Sequence, residues 1–233
     1  MRVRTLAIWN DIAPEGYAHF ERWYIREHLQ ERVGVPGFRF GRRYEAVSGG
    51  DRRFFAFYEV ESPAVLTSAA YLERLENPTR WTRETMKSFR NMVRTVCDLR
   101  AAAGDLIGSH AVVLRADGAM VPAPGAEALV HDLARQEGVA RVQLWTAAAR
   151  QTRADTVEMK VRGKDALTAG ALVVECLRRA DAERAAKSLG GPPAELGISG
   201  SSVLGIYALL CIHSSSGPRQ SISYRTGSLR SAI

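Results

Sequence analysis

His28 is the residue with the clearest capacity for acid–base chemistry, and it stands in an aromatic-rich stretch between Pro14 and Gly34. An imidazole with an ordinary pKa of about 6.5 can take a proton from a carbon acid or a phenol at neutral pH and return it elsewhere. Placing residues at intervals of about 100° around a helix gathers one narrow face: Tyr17, Phe20, Tyr24 and His28. A lone histidine on such a face fits either a general acid/base or a packed core residue, and packing is the more frequent role.

Four carboxylates are candidates to orient His28. Glu21, Glu27 and Glu31 lie near it on the helical wheel. Asp11, at the end of the first predicted strand, could also orient it, although a helix N-cap is the simpler role for this residue.

A cleft between this helix and its sheet is predicted to hold a flat apolar or aromatic ligand. Strand parity places aromatic side chains along the cleft: Trp9, Tyr17, Tyr24, Phe40, Tyr44, Phe55 and Phe57. Arg42 shares a strand face with Phe40 and Tyr44. It either snorkels at the sheet edge, which we favour, or binds a substrate carboxylate or enolate.

The elements of the first 100 residues alternate as β-α-β-β-α-β, the ferredoxin-like order. The predicted strands cover residues 3–10, 38–45, 53–60 and 91–99, and the predicted helices cover 14–33, 64–75 and 81–89. A small-residue linker over 101–105 is predicted to end this unit.

The second half repeats the order more loosely. Strands are predicted at 109–115, 139–147, 171–177 and 203–212, and helices at 125–136 and 181–189, the latter capped by Asp181. A polar stretch, 150–168, contains a possible short strand at 156–161. Leu129 takes the place of His28, and Trp145 falls opposite Tyr44, so we expect a site chiefly in the first half.

The predicted fold class is therefore α+β, with two ferredoxin-like units. The first unit, residues 1–104, contains the pocket, and the second, degenerate unit covers residues 105–213. Residues 214–233 are rich in Ser, Gly and Arg and are predicted to form a flexible tail.

Composition and motifs exclude several classes of function. The net charge of +7 comes mostly from arginines scattered among acids, which argues against a nucleic-acid partner. No apolar run approaches the roughly 20 residues of a membrane span, and no signal peptide is evident, so we expect a cytoplasmic protein without a membrane partner.

Metal and cofactor motifs are also missing from the sequence. Cys97, Cys176 and Cys211 are far apart and are expected to be reduced and buried. The five histidines lack metal-ligand spacing, and no dinucleotide or phosphate-binding loop is found, so neither a metal nor a cofactor is expected.

One combination of residues resembles a known superfamily: Phe20-Glu21-Arg22-Trp23-Tyr24 with Glu27-His28, then Val35-Pro36-Gly37-Phe38 and Arg42-Arg43-Tyr44. It resembles the dimeric α+β barrel superfamily, and within it the EthD-like and muconolactone-isomerase-like proteins. The resemblance implies two ferredoxin-like units whose sheets join into a barrel, here within one chain. It also implies cofactor-independent isomerase, cyclase, decarboxylase or monooxygenase chemistry on small aromatic or polyketide-like compounds, with His28 as general acid/base. A matching histidine is missing from the second half.

Three hypotheses of function follow. The first is a cofactor-independent isomerase, cyclase or decarboxylase that acts on a small aromatic or lactone compound through His28. The second is a non-catalytic protein that binds a small apolar ligand, in which His28 would be hydrogen-bonded into the core with no open volume beside it. The third is a structural protein whose sheet faces are simply filled. A homodimer is left open.

Overall fold

The chain folds into a closed barrel of eight antiparallel strands, seen in a computed structural model that describes residues 4–149 and 156–215. The barrel strands are β1 (Arg4–Ile12), β2 (Phe38–Gly49), β3 (Phe54–Val60), β4 (Phe89–Ala103), β5 (His110–Ala116), β7 (Val139–Ala147), β8 (Gly170–Cys176) and β10 (Ser202–Ser214). Two short strands, β6 (Ala119–Met120) and β9 (Ile198–Ser199), form a separate pair. The predicted α+β fold with a barrel is confirmed.

The two halves of the chain order their strands in the same way. Around the barrel the order is β1-β3-β2-β10-β5-β8-β7-β4, and β4 returns to β1. In each half the fourth strand lies beside the first, the first beside the third, and the third beside the second: β4-β1-β3-β2 and β10-β5-β8-β7. This is the strand order of a ferredoxin-like sheet. Two seams join the halves, β2 with β10 and β4 with β7, and close the barrel.

Helices pack on the outside of the barrel. They are α1 (Tyr17–Trp23), α2 (Leu29–Val33), α3 (Ala69–Glu76), α4 (Arg80–Met86), α5 (Ala126–Ala134), α6 (Val157–Arg162) and α7 (Arg179–Leu189). Short 3-10 turns cover Pro14–Gly16, Pro63–Thr67 and Ala194–Leu196, and a π-helical turn, Tyr24–His28, joins α1 to α2. Within the described residues, no helix has the length and apolar character needed to cross a membrane.

Apolar side chains fill both surfaces of the barrel wall. One cluster fills the interior, as expected for an eight-stranded barrel, and two further clusters lie outside beneath the helices of each half. Strand β3 is buried along its whole length because it contributes to the interior and to an outer cluster. This explains why its sequence is apolar on both faces.

Several element predictions need correction. The possible short strand at residues 156–161 is instead a helix: α6 begins at Val157, and Thr156 caps its first turn with a hydroxyl that accepts from the Met159 N–H. The predicted helix 64–75 is divided at Ser68, which is extended and caps α3. Asp181 lies inside the first turn of α7 and accepts from the N–H of Arg178, the residue at the N-cap.

Two boundaries also differ from the prediction. Strand β4 continues through most of the predicted linker, because its last residues pair with β7 and close the barrel. Strand β10 extends to Ser214, and Ser215 donates its N–H to the carbonyl of Arg39 at 2.8 Å. The rest of the predicted tail lies outside the described residues.

Candidate functional site

The helix that carries His28 is not a uniform α-helix. The N–H of Leu29 donates to the carbonyl of Tyr24, five residues earlier, which widens this turn into a π-helix. The rings of Trp23 and His28 then stack with centroids 4.2 Å apart and planes 27° apart. Residues five apart do not face each other on a regular α-helix, so the helical wheel could not place Trp23 against His28.

His28 is buried among aromatic rings, with 8% of its surface exposed. Tyr24 and Tyr58 contact the ring edge-on, at centroid distances of 5.1 and 6.5 Å. The Nδ1 atom is buried and has no hydrogen-bond partner among the described residues. An imidazolium carries two N–H donors, so protonating this ring would leave a donor unsatisfied.

The charge state of His28 follows from this environment. Burial, followed by the positive charges of Arg32, Arg162 and Arg43, holds the pKa of His28 well below 6.5. The ring is therefore neutral at pH 7 and able to accept a proton. The expectation of an ordinary pKa for His28 is wrong.

The carboxylates expected to orient His28 are engaged elsewhere. Each helical carboxylate has other partners: Glu21 with Arg43, Glu27 with Thr79 and Thr82, and Glu31 with Arg74. Asp11 accepts from the Arg53 N–H at 2.7 Å and from the Asn91 side chain at 2.8 Å, so it ties strand ends together and caps no helix.

An open cavity lies beside His28. Its volume is about 200 Å³, well above the roughly 10–15 Å³ that one water molecule needs. Its walls from the first half are the outer faces of β1, β3 and β4 and the surrounding helices: Leu6, Ile8, Asn10, Trp23, Tyr24, His28, Arg32, Ala56, Tyr58, Tyr71, Leu75, Met86, Phe89, Met92 and Arg94. The walls are mostly apolar, so the cavity suits a small ring system.

A segment of the second half completes the cavity. Here we call residues 156–167, which are α6 and the residues after it, the crossing segment. Its side chains on the cavity are Thr156, Glu158, Met159, Arg162, Lys164, Asp165 and Leu167. The backbone of Ala166 donates to the Met92 carbonyl at 2.8 Å and accepts from the Arg94 N–H at 3.0 Å, which anchors the segment to β4.

A buried ion pair holds the other end of the crossing segment. Arg32 Nη2 donates to Glu158 Oε1 at 2.8 Å, and the two side chains are 5% and 4% exposed. Burial alone would lower the pKa of Arg32, but the Glu158 carboxylate, together with Tyr71 and Tyr58, raises it on balance. This pair joins the His28 helix to α6 beside the cavity.

Two phenols supply neutral hydrogen-bonding groups at the cavity wall. The hydroxyl oxygens of Tyr24 and Tyr58 lie 3.0 Å apart. Burial raises the pKa of Tyr24 to about 12 and that of Tyr58 well above 10. Both therefore keep their protons at neutral pH.

The structure divides the predicted site residues among three places. Tyr24 and His28 line the cavity. Tyr17 stacks on Phe54 at 6.2 Å and lies under Arg53, away from the cavity lining. The other six lie in the barrel interior, on the opposite side of the sheet: Trp9, Phe40, Arg42, Tyr44, Phe55 and Phe57. Parity chose the inner face because β3 is apolar on both faces and the aromatic face of β2 turns into the barrel.

Arg42 is neither at a sheet edge nor on the cavity. It is 2% exposed, and its Nη1 donates to Glu175 Oε1 at 2.5 Å. The Tyr44 hydroxyl donates to the same oxygen at 3.0 Å. The expectation of a snorkelling arginine is wrong, because the closed barrel holds Arg42 inside, against a carboxylate of the second half.

Comparison with known proteins establishes the fold and no more. The chain matches no protein-family model, and no curated protein matches its sequence. An anthrone oxidase-like protein superposes over 93% of this chain and 94% of its own, with a TM-score of 0.59 and 10% identity. A candidate monooxygenase from Fusobacterium nucleatum subsp. nucleatum superposes over 93% and 95% of the two chains, with a TM-score of 0.52 and 10% identity. A candidate monooxygenase from Lactobacillus acidophilus superposes over 92% and 97%, with a TM-score of 0.51 and 6% identity. The α+β barrel fold that the resemblance implied is thus confirmed.

Proposed function

We propose that the protein is a cofactor-independent enzyme, of isomerase, cyclase or decarboxylase type, that moves a proton on a small aromatic or lactone compound. The observation that carries this proposal is the neutral imidazole of His28 at the wall of an open cavity. A general base must be unprotonated and within reach of its substrate, and His28 meets the first condition at neutral pH.

The proposed step is proton abstraction from carbon or oxygen. The imidazole of His28 accepts the proton, and the electrons of the broken bond become an enolate or phenolate. Returning the proton to a different atom completes an isomerisation. One phenol of the Tyr24–Tyr58 pair donates to the other, and the O–H that this leaves free would donate to the oxygen on which negative charge develops. The apolar walls strengthen that interaction by excluding water.

A non-catalytic binding protein is the alternative. It predicts His28 hydrogen-bonded into the core with no open volume beside it, whereas Nδ1 has no partner among the described residues and a cavity adjoins the ring. The unpartnered Nδ1 of His28 favours the enzyme over the binding protein. The open cavity favours both of these over a structural protein, whose helix–sheet interface would be filled.

Within the superfamily, we propose a place among the EthD-like or muconolactone-isomerase-like proteins, on the residues that resemble them. We also propose that residues 1–104 and 105–213 are two ferredoxin-like units and that only the first has a complete site. In our alignment of the two units, Leu129 on α5 takes the place of His28.

Deuterium exchange would test proton abstraction even while the product is unidentified. Carbon acids such as anthrone, a tetralone and an unsaturated five-membered lactone would be incubated with the protein in D₂O and followed by NMR. We expect one class to exchange, and we expect His28→Gln to slow that exchange by about 10²–10⁴-fold. Oxygen uptake would be recorded in parallel, because two structural neighbours are candidate monooxygenases.

The matched control is His131→Gln, which changes an exposed histidine on α5. It should leave the exchange rate unchanged. Full exchange by the His28→Gln protein, or binding of these compounds without exchange by the wild type, would contradict the proposal.

A further inference from the structure

The charged side chains on the cavity wall are unequal in number. Among the described residues, four cations line it: Arg32, Arg94, Arg162 and Lys164. Two carboxylates oppose them, Glu158 and Asp165. Because His28 is neutral, the lining carries an excess of two positive charges.

Ion pairing leaves one half-buried cation, Arg94, without a carboxylate in direct contact, and Asp165, which is paired with Arg162, attracts its charge from farther away. Arg32 is paired with Glu158, and Arg162 with Asp165 at 2.6 Å. Lys164 is exposed. Arg94 makes no ion pair with any described residue, and its one side-chain hydrogen bond there runs from Nη2 to the Tyr71 hydroxyl at 2.9 Å.

Arg94 is held firmly in position by its backbone. It lies on the outer face of β4, paired across the sheet with Ile8 of β1, another cavity residue. Its N–H donates to Ala166 of the crossing segment. A guanidinium has five N–H donors in a planar fork, so the Tyr71 contact leaves four of them for a ligand.

A guanidinium in an apolar wall is costly unless an anion offsets its charge. We infer that the natural ligand is an aromatic carboxylic acid, with its carboxylate bound to Arg94 and its ring in the apolar part of the cavity that contains Trp23 and His28. This inference rests on the proposed function and names the class of compound on which the site acts. A carboxylate fits one fork-shaped cation, whereas a phosphate would bring more charge than Arg94 alone can match.

Calorimetry with a matched pair of probes would test the inference. Salicylate and salicylamide have the same ring and phenol, and they differ in the charge of one group. We expect the wild type to bind salicylate at least about tenfold more tightly than salicylamide, because only the acid makes a charge-assisted contact. Arg94→Gln should remove this preference, and Arg94→Lys should keep part of it. Inorganic phosphate, as a third probe, should bind more weakly than salicylate.

The control is Arg100→Gln, which changes an exposed arginine on the same strand. It should bind both probes as the wild type does, and NMR spectra would verify that each variant is folded. Equal affinity of the wild type for acid and amide, no binding of either, tighter binding of phosphate, or a preference that survives Arg94→Gln would overturn the inference. Failure of the proposed function would look different: salicylate binding would depend on Arg94, but His28→Gln would not change deuterium exchange.

Discussion

At the scale of the residue, the site depends on a histidine that the protein keeps neutral. Burial removes water from the ring of His28, and the cations Arg32, Arg162 and Arg43 disfavour a positive charge on it. The same cations would attract a negative charge that develops on a ligand. One arrangement therefore favours both the free base and the anion that proton abstraction leaves on the ligand.

The lowered pKa of His28 makes folding stability depend on pH. Below a pH of about 6.5 the unfolded chain protonates this histidine more readily than the folded chain does, so the free energy of unfolding decreases as the pH is lowered. Above that pH the term is constant. Urea denaturation from pH 8 to 5 would measure the free energy of unfolding of wild type and of His28→Gln. The difference between the two proteins should be constant above about pH 7, and below about pH 6.5 the wild type should lose stability relative to the variant. A difference that is constant over the whole range would contradict the lowered pKa.

The sequence indicated part of the site at this scale. Helical periodicity identified His28 and Tyr24, because both lie on a stripe that faces the sheet. The strand patterns did not indicate Tyr58 or Arg94, because the alternation of residues along a buried strand does not say which face meets the helices. Arg94 lies within residues 91–99, a β-branched run that indicates a strand and gives no reason to single out one arginine.

At the scale of the element, the crossing segment is the part of the site that sequence patterns did not indicate. Helix α6 has six residues, too few to show a helical period, and it lies in a polar stretch. Its position over the first half depends on the Arg32–Glu158 pair and on backbone contacts with β4. Tertiary contacts of this kind leave no local pattern in a sequence.

Removing the charge of Glu158 should loosen α6. Glu158→Gln leaves the Arg32 guanidinium buried without its carboxylate, an arrangement that is strongly destabilising. We expect amide exchange in α6 to speed up at least about tenfold, equal to about 1.4 kcal/mol, while α7 is unchanged. Hydrogen-exchange mass spectrometry would measure both helices in one experiment.

Glu183→Gln provides the comparison, because it removes an exposed pair with Arg179 on α7. Exposed pairs contribute little, so exchange in α6 should match the wild type. Equal exchange in α6 for Glu158→Gln and Glu183→Gln would show that the buried pair does not hold the segment.

At the scale of the whole molecule, the barrel makes the two halves depend on each other. The β-α-β-β-α-β order was readable from the alternation of strand and helix patterns in the first half. Closure was implied only by the resemblance to a superfamily, because the seams join strands far apart in sequence. Pairings of that separation depend on register and sheet twist, which local patterns do not contain.

We expect the halves to unfold together. Strands β2 and β4 each lose a neighbour if the second half unfolds, and their edges would be left unpaired in the first half. In a urea titration followed by NMR, amide signals of β3 and β8 should disappear with the same midpoint. Persistence of one set at urea concentrations where the other is lost would show two independent units.

The crossing segment means that proton transfer and ligand fit depend on different parts of the chain. The proposed base belongs to the first half, whereas part of the wall that a ligand must fit belongs to the second, and Arg32 and Glu158 are 126 residues apart. Directed evolution could therefore diversify residues 156–167 to change which compounds are accepted while every residue of the His28 helix stays as it is. Libraries confined to the first hundred residues would leave that means of changing specificity unused.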